Sequence, residues 1–291
     1  MRVLVTDFGG LRVKWGLFEG DRLVDKGFTD SLSVSNPEKF LSFLREFDFD
    51  KFVLGFAGLV RNGVVLHAPN HPSWDGYNLY RIFGDYDVTV ENDANLFTLG
   101  EAIYGAGKGR NFVLGVTLGT GVGGGLVING QIIRGAGGLG MEIGHITIGM
   151  EGPPCNCGSY GCAEAYLGGA YFVERAARLF IRHGQSPPKS MKHLEESARM
   201  GVKLARTLWD EYGRYLGILI SSLINVFDPE IIVLGGGISG AYDLFKDAMF
   251  KEIQRRRVAY VLETEIVPSA LGPDAALWGG YHLVSSHARS Q

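Results

Sequence analysis

The stretches Val5-Thr6-Asp7-Phe8-Gly9-Gly10 and Gly115-Val116-Thr117-Leu118-Gly119-Thr120 are two versions of one pattern. In each, apolar and β-branched residues that favour a strand run into a glycine turn. The spacing between the two stretches also separates Gly20 from Gly130, where each version reaches its second turn. A repeat at a constant offset predicts a duplicated unit, so we expect a glycine-turned β-hairpin at the start of each half of the chain.

Strand patterns alternate with helix patterns beyond these hairpins. Helical spacing of apolar residues predicts helices at 37–47, 92–104, 171–183, 202–227 and 274–284. Apolar runs predict buried strands at 51–57, 87–91 and 231–234. The alternation predicts the α/β class. Together with the duplicated hairpin, it predicts two domains of related topology that face one another across a shared cleft. Each domain would contribute a phosphate-binding turn to that cleft. We expect domains at 1–110, completed by a C-terminal helix at 274–291, and at 111–273, with a hinge at 105–110.

Composition and charge exclude several classes of protein. The 291 residues are 46% hydrophobic and 20% charged, which is typical of a packed globular protein. The net charge is −3, and the one basic run, Arg255-Arg256-Arg257, lies in a helical pattern, so the broad basic surface of a nucleic-acid binder is missing. No apolar run is long enough to cross a bilayer, and the first residues enter a strand pattern without a signal-peptide layout. We therefore expect a cytoplasmic protein with small-molecule partners, and no nucleic acid or membrane partner.

One cluster contains every cysteine of the chain. His145, Cys155, Cys157 and Cys162 follow one another at gaps of 10, 2 and 5 residues. Four nitrogen and sulfur ligands in so short a segment suit a closed, tetrahedral and therefore structural zinc site. The alternative is three buried free cysteines beside an unrelated histidine, which the clustering of all three cysteines disfavours.

Carboxylates mark two further positions. Glu91-Asn92-Asp93 lies where a predicted strand ends and a helix begins, a common place for α/β ligand sites, although Asn and Asp are also ordinary helix N-caps. Glu142 and Glu164 bracket the zinc ligands and, with an Asn, would accept hydrogen bonds from a polyhydroxyl ligand. Asp7 precedes the Gly9-Gly10 turn, which suggests a Mg²⁺ ion held partly through water, or only a turn-starting Asp.

Two glycine motifs resemble nucleotide-binding fingerprints but lack the required setting. Gly135-Ala136-Gly137-Gly138-Leu139-Gly140 matches the dinucleotide pattern letter for letter, yet it follows a hairpin instead of opening a βαβ unit. Lys108 is followed by Gly, where a P-loop needs Ser or Thr. We therefore expect any phosphate to bind at the duplicated hairpin turns.

Taken together, these motifs resemble the signature of the ROK family (repressor, open reading frame, kinase). The match runs in order from residue 3 to about 280. It rests on Asp7-x-Gly9-Gly10, Glu91-Asn92-Asp93-Ala94-Asn95, Leu118-Gly119-Thr120-Gly121-Val122-Gly123, Glu142-Ile143-Gly144-His145, and the run from Cys155 to Glu164.

The resemblance implies an actin-like ATPase (ribonuclease H-like) fold of two α/β domains around a deep cleft. It implies ATP, Mg²⁺ and structural Zn²⁺ as cofactors, phosphoryl transfer from ATP to a hexose hydroxyl, and a homodimer. Asp93 would be the general base that takes the proton of the hydroxyl. Sugar ligands would be Asn70, Asn92, Glu142, His145 and Glu164, with His145 also on the zinc. The phosphates would contact Gly9, Gly10, Gly119, Thr120 and Gly121, and the adenosine would pass Gly235, Gly236 and Gly237.

The chain departs from the family pattern at two turns, and the resemblance leaves several sugars and two phosphoryl donors as alternatives. Leu11, followed by Arg12, stands where the family usually has Thr, so a hydroxyl contact to phosphate is lost. The usual Pro near Gly58 is also missing. The 6-hydroxyl of glucose is the first expectation for the acceptor, and N-acetylmannosamine, N-acetylglucosamine, fructose or allose are alternatives. Polyphosphate is an alternative donor.

Two readings outside the kinases follow from the same resemblance. Sugar-responsive repressors of the family carry a DNA-binding domain ahead of the kinase-like part, and the predicted first strand at residue 3 speaks against that class. A non-catalytic sugar-binding regulator is the other alternative, and the presence of Asp7 and Asp93 disfavours it.

Overall fold

A computed structural model describes residues 1–256, 258 and 263–288 of the chain. Strands β1 to β12 are, in chain order, Arg2–Phe8, Arg12–Glu19, Arg22–Asp30, Lys51–Phe56, Leu59–Arg61, Val64–His67, Val88–Asn92, Phe112–Leu118, Val122–Ile128, Gln131–Ile132, Ile231–Gly235 and Glu265–Pro268. Helices α1 to α9 are Pro37–Leu44, Leu79–Ile82, Asp93–Tyr104, Ala163–Leu167, Gly169–Arg182, Met191–Arg199, Lys203–Phe227, Tyr242–Arg256 and Ala275–Ala288.

The chain forms two compact units, each built from separate segments. The first unit comprises Met1–Gly115, Gly125–Met141 and the residues from Ala270 onward, and the second comprises Val116–Gly124 and Glu142–Ser269. The predicted domain ranges 1–110, 111–273 and 274–291 stay a prediction. The units differ from them mainly in grouping 125–141 with the N-terminal residues. Residues 289–291 of the expected C-terminal helix, and Arg257 of the basic run, lie outside the described residues.

The sheet of the first unit has the strand order β3-β2-β1-β4-β7. β1, β4 and β7 run parallel, and β1 pairs antiparallel with β2. Parallel strands end at the same edge of a sheet. The register places Asp7 opposite Gly55 and Phe56 opposite Asn92, so the ends of β1 and β7 lie at one edge.

Aromatic side chains fill one face of this sheet, and two helices cover the other. Phe8, Phe40, Phe56 and Trp74 are fully buried and contact one another at ring separations of 5.3–5.9 Å. On the other side, α3 and α9 approach so closely that a Cβ at Gly100 would lie 1.9 Å from the carbonyl oxygen of Ala275. This contact between two helix backbones fixes the packing of α3 against α9, and the N-terminus of α3 follows directly from the end of β7.

The second sheet has the order β10-β9-β8-β11-β12, and β11 pairs with β12 in parallel. In the second unit, the long helix α7 packs on α8, with Gly213 and Gly217 allowing close approach. Trp209, Tyr212 and Phe245 form the buried aromatic core there. The predicted α/β class is therefore confirmed.

Most predicted elements are present with shifted ends. The helix expected at 37–47 ends at Leu44, and the helix expected from residue 92 begins at Asp93. In the second copy of the repeated pattern, the strand that follows the Gly130 turn, β10, has only two residues. Among the described residues, no helix has both the length and the apolarity needed to span a membrane.

Candidate active site

Two carboxylates and one lysine form the polar cluster of the first unit. Asp7 lies near the end of β1, is 8% exposed, and accepts a hydrogen bond of 2.9 Å at Oδ2 from Nζ of Lys14. Lys14 stands directly opposite Asp7 on β2. Burial works to lower the pKa of Lys14, but Asp7, together with Asp93 and Asp274, outweighs it and raises that pKa. The lysine therefore stays charged between the carboxylates.

Asp93 is the first residue of α3, and its pKa is raised from 3.8 to about 7. Desolvation is the largest cause and the negative charge of Asp7 the second, while backbone N–H groups of Asp93 and Ala94 and the charge of Lys14 act in the opposite direction. A carboxyl group with a pKa near neutrality takes up and releases a proton readily at the pH of a cell.

Asn92 caps α3. Its Oδ1 accepts hydrogen bonds from the backbone N–H groups of Ala94, at 2.9 Å, and Asn95, at 3.1 Å. The N-cap reading of this tripeptide therefore applies to Asn92. Because the cap uses only Oδ1, Nδ2 is the atom with which Asn92 would donate to a ligand.

Two side chains from the segment 68–74 contact the Gly9-Gly10 turn. A Cβ at Gly10 would lie 3.0 Å from the amide nitrogen of Asn70, so these two candidate residues are in direct contact. His71, only 5% exposed, places Nε2 3.0 Å from the carbonyl oxygen of Gly9. Burial lowers the pKa of His71 against the opposing effect of that hydrogen bond, so the neutral ring donates through Nε2. Sequence reasoning missed His71, although its place between Asn70 and Pro72 in a turn was the available signal.

Leu11 and Arg12, which follow Gly10 where the family pattern differs, do not pair with the carboxylate of Asp7 as Lys14 does. Leu11 is 76% exposed, and the guanidinium of Arg12 lies over the ring of Phe28, 4.4 Å from its centroid. Lys14, by contrast, pairs with Asp7.

The four expected zinc ligands of the second unit come together. Their ligand atoms all lie within 4.8 Å of one another. Nδ1 of His145 is 3.7 Å from Sγ of Cys155, and Sγ of Cys157 is 3.7 Å from Sγ of Cys162. A tetrahedron with Zn–S bonds of about 2.3 Å has edges of about 3.8 Å, so the donor set fits zinc in both chemistry and spacing.

Two further candidate residues surround this cluster. Nε2 of His145 is 4.0 Å from Oε2 of Glu142, on the opposite side of the ring from Cys155. Burial, with a contribution from Glu164, raises the pKa of Glu142, and His145 opposes the shift. Glu164 is the second residue of α4, two positions after Cys162, so the loop that carries the ligands also positions this carboxylate.

Glu164 also contacts the candidate phosphate turn. Its Oε2 accepts a hydrogen bond of 2.9 Å from the backbone N–H of Val122, and a Cβ at Gly121 would lie 2.3 Å from the same oxygen. The carbonyl of Gly119 accepts a hydrogen bond of 2.9 Å from the N–H of Gly169, at the start of α5. Position 119 itself opens onto free space, since a Cβ there meets no atom within 4 Å. Gly169 was missed by sequence reasoning, although the pair Gly168-Gly169 stands directly before the helix predicted at 171–183.

The three glycines assigned to adenosine lie beside this turn. Gly235 ends β11, and Gly236, with φ of +82°, is so close to β8 that a Cβ would lie 2.3 Å from the carbonyl oxygen of Leu118. Gly237 opens onto free space. Within the second unit, the structure therefore brings the expected zinc ligands, Glu142, Glu164 and both groups of glycines into one neighbourhood.

Comparison with known proteins gives a consistent assignment. The model of the ROK family matches residues 38–287. The glucokinase of Thermotoga maritima is 32% identical, with 98% of this chain and 97% of that protein covered. The glucokinase of Halalkalibacterium halodurans is 36% identical over 98% of this chain and 92% of that protein.

Among solved structures, a ROK family glucokinase from Streptomyces griseus in complex with glucose and AMPPNP superimposes with a TM-score of 0.84. It is 28% identical, and the match covers 98% of this chain and 100% of that one. The likeness confirms the expected actin-like ATPase fold. With a family match over most of its length and relatives above 30% identity over nearly all of it, this chain belongs to the ROK family.

Proposed function

We propose that this protein is an ATP-dependent hexose kinase that phosphorylates the 6-hydroxyl of glucose, with Asp93 as its general base. The observation that carries the proposal is the carboxyl group of Asp93 at the N-terminus of α3, whose pKa burial and Asp7 raise to about 7. A general base works best when its pKa lies near the working pH. The glucokinases among the relatives support the reaction class.

The reaction needs one proton acceptor and precise positioning. The 6-oxygen of the sugar forms a bond to the γ-phosphorus of ATP, the bond from that phosphorus to the β–γ bridging oxygen breaks, and ADP leaves. Asp93 takes the proton of the hydroxyl. Phosphoryl transfer depends mainly on orientation and charge stabilisation, so the remaining residues need only hold the two substrates.

The proposal assigns the sugar to groups that match hydroxyls. Glu142 and Glu164 accept hydrogen bonds, and Asn92 donates through Nδ2, since its Oδ1 is engaged in capping α3. Asn70 and His145 complete the proposed sugar contacts. Sequence resemblance and these local contacts support the assignments.

The nucleotide is assigned to the glycine turns. Open space at Gly119 and Gly237 leaves room for groups that approach the backbone closely. Asp7 would hold Mg²⁺ together with the ATP phosphates, the arrangement that this ion prefers. When bound, Mg²⁺ neutralises phosphate charge and Zn²⁺ cross-links the loop that ends at Glu164.

A coupled ADP-release assay with Mg-ATP tests the proposal. The sugars are glucose, N-acetylmannosamine, N-acetylglucosamine, fructose and allose, and polyphosphate replaces ATP in a parallel series. We expect turnover with glucose, and Asp93→Asn should lower kcat by at least ~10²-fold. Asp87→Asn, at an exposed residue paired with Lys51, is the matched control and should leave kcat unchanged.

Each outcome has a separate meaning. Turnover of an N-acetyl sugar alone keeps the mechanism and changes the substrate. Glucose binding by calorimetry without turnover on any sugar would replace the kinase by a non-catalytic sugar-binding regulator. A homodimer and a cytoplasmic location stay predictions, the first of which sedimentation analysis decides.

A further inference from the structure

Glu91, directly before Asn92 and Asp93, is a buried carboxylate with both oxygens engaged. Its side chain is 7% exposed. Oε1 accepts hydrogen bonds of 2.9 Å from the backbone N–H of Asn92 and from Nδ2 of Asn95. Oε2 accepts a hydrogen bond of 2.6 Å from Nε of Arg134. Glu91 therefore accepts hydrogen bonds from residues on both sides of Asp93, namely Asn92 and Asn95.

Arg134 opens the glycine segment 134–140, which includes the GxGxxG motif that no nucleotide-binding role explains. Its carbonyl accepts a hydrogen bond of 2.9 Å from the N–H of Gly140, which closes the segment into a loop. Gly135 and Gly138 have φ values of +71° and +75°, which only glycine adopts at little cost. The backbone of Arg134 thus closes this glycine loop while its side chain reaches Glu91.

The exposure of Arg134 and the identity of the residues bound to Glu91 argue against a purely structural ion pair. Arg134 is 43% exposed, so core packing does not require it. The bonds of Glu91 end on Asn92 and Asn95, which flank Asp93. A carboxylate that accepts charge-assisted and backbone hydrogen bonds holds its partners in a narrow geometry.

We propose that Glu91 is a positioning residue for Asp93, and that Arg134 ties the glycine loop 134–140 to the first turn of α3 through it. The loop then sets the orientation of the general base, and its glycines serve backbone geometry instead of a cofactor. The inference rests on the proposed kinase function. It assigns a role in the reaction to two residues that touch neither substrate.

The test begins with Arg134→Ala, because removal of a half-exposed side chain spares the fold. We expect kcat to fall by up to about 10²-fold, the scale of a small misplacement of a reacting group. The KM for ATP and the melting temperature should change little. Guanidinium ion at millimolar concentration should restore part of the lost kcat, since it can occupy the place of the missing side chain beside Glu91.

Under this proposal, rescue of Arg134→Ala by guanidinium requires the carboxylate of Glu91. Glu91→Gln keeps an acceptor for Asn92 but places an amide opposite Arg134, and we expect a similar fall in kcat. The double variant Glu91→Gln/Arg134→Ala should be no worse than either single variant and should not respond to guanidinium. The pair Arg2–Glu19, joined at 3.0 Å near the surface of the same unit, is the control, and Arg2→Ala and Glu19→Gln should keep full kcat.

A readout without turnover separates this inference from the proposed function. Hydrogen exchange at the amide of Asn92, which donates to Glu91, should accelerate in Arg134→Ala, while amides of α9 keep the wild-type rate. An inactive wild-type protein would overturn the proposed function, and the exchange rates would still decide whether the link exists. Full kcat and unchanged exchange in Arg134→Ala, beside an active wild type, would overturn the inference alone.

Discussion

The pKa of Asp93 is set by opposing electrostatic effects. Desolvation and Asp7 favour its protonated form, while the helix N-terminus and Lys14 favour its ionised form. Because its pKa is raised in the folded protein, its contribution to stability is present below the ordinary value of 3.8 and is lost as the pH rises through about 7. The base that the proposed reaction needs therefore costs the protein some stability at neutral pH.

Substitution of the two neighbours should move the pKa of Asp93 in opposite directions. Asp7→Asn removes a charge that raises this pKa, so the acidic limb of the kcat/KM profile should move to lower pH. Lys14→Met removes a charge that lowers the pKa, so the limb should move to higher pH. Carbon-13 NMR of the Asp93 carboxyl group measures the same shifts without turnover.

Lys51→Met is the control for these variants. Lys51 pairs with Asp87 and stands opposite Val3, at the other end of the sheet from Asp7, so its loss should leave the profile unchanged. Shifts of the same sign in Asp7→Asn and Lys14→Met would show that neither charge acts on Asp93 as described.

At the scale of the element, the turn at 119–121 offers a matched pair of glycines. Gly121→Ala places a methyl group 2.3 Å from Oε2 of Glu164, so that side chain must move and Val122 loses its acceptor. We expect a loss of stability of about 1–3 kcal/mol, typical of overpacking, and a higher KM for the sugar. Thermal unfolding and steady-state kinetics measure the two effects.

Gly119→Ala is the comparison, because a Cβ there meets no atom within 4 Å. Its stability should stay within about 0.5 kcal/mol of wild type, while its KM for ATP should rise if phosphate approaches this backbone. Equal behaviour of the two variants would contradict the division of the turn into a phosphate side and a Glu164 side.

Elements with a strong local signal could be predicted from the sequence. The hairpins around Gly20 and Gly130 carry turn residues, and α7 has long helical periodicity that ends at Phe227, before Pro229. The four-residue strand β12 and the hairpin β5–β6 were missed, because so few residues show no distinct period and pair through distant neighbours. Their formation depends on the sheet or turn that receives them.

In the candidate site too, residues close along the chain could be predicted, whereas contacts between distant residues could not. The zinc ligands and Glu91-Asn92-Asp93 lie close along the chain, so their spacing carried the prediction. The contact of Arg134 with Glu91 and that of Glu164 with Val122 join residues about forty positions apart. No local pattern encodes such pairs, and only strand register and helix placement bring them together.

At the scale of the whole molecule, each compact unit gathers separate segments of chain. Residues 125–141 belong to the first unit, where Gly130 packs near Ile103 of α3. The duplicated hairpins predicted two units with related openings. Which segments pack into each compact unit depends on the helix that each later segment contacts, and that is a property of tertiary structure.

Metal content is the prediction that concerns the whole chain. Elemental analysis should find one zinc per chain, and Cys157→Ser should lose it and lower the melting temperature. Cys157 is exposed, so the substitution removes a ligand without opening a cavity. Ser159→Ala, in the same loop, is the control and should retain metal and stability. A metal-free protein whose fold is untouched by chelators would contradict the zinc site.

The gathering of all three cysteines at one place has a practical consequence. A thiol reagent added to the intact protein reacts only with the cysteines of that cluster. If the cluster binds zinc as predicted, colorimetric thiol titration would therefore measure how much of the metal site is occupied. In the loaded protein, a cysteine introduced at a chosen surface position would be the sole uncoordinated thiol. Fluorophores could then be attached there directly, without first building a cysteine-free background.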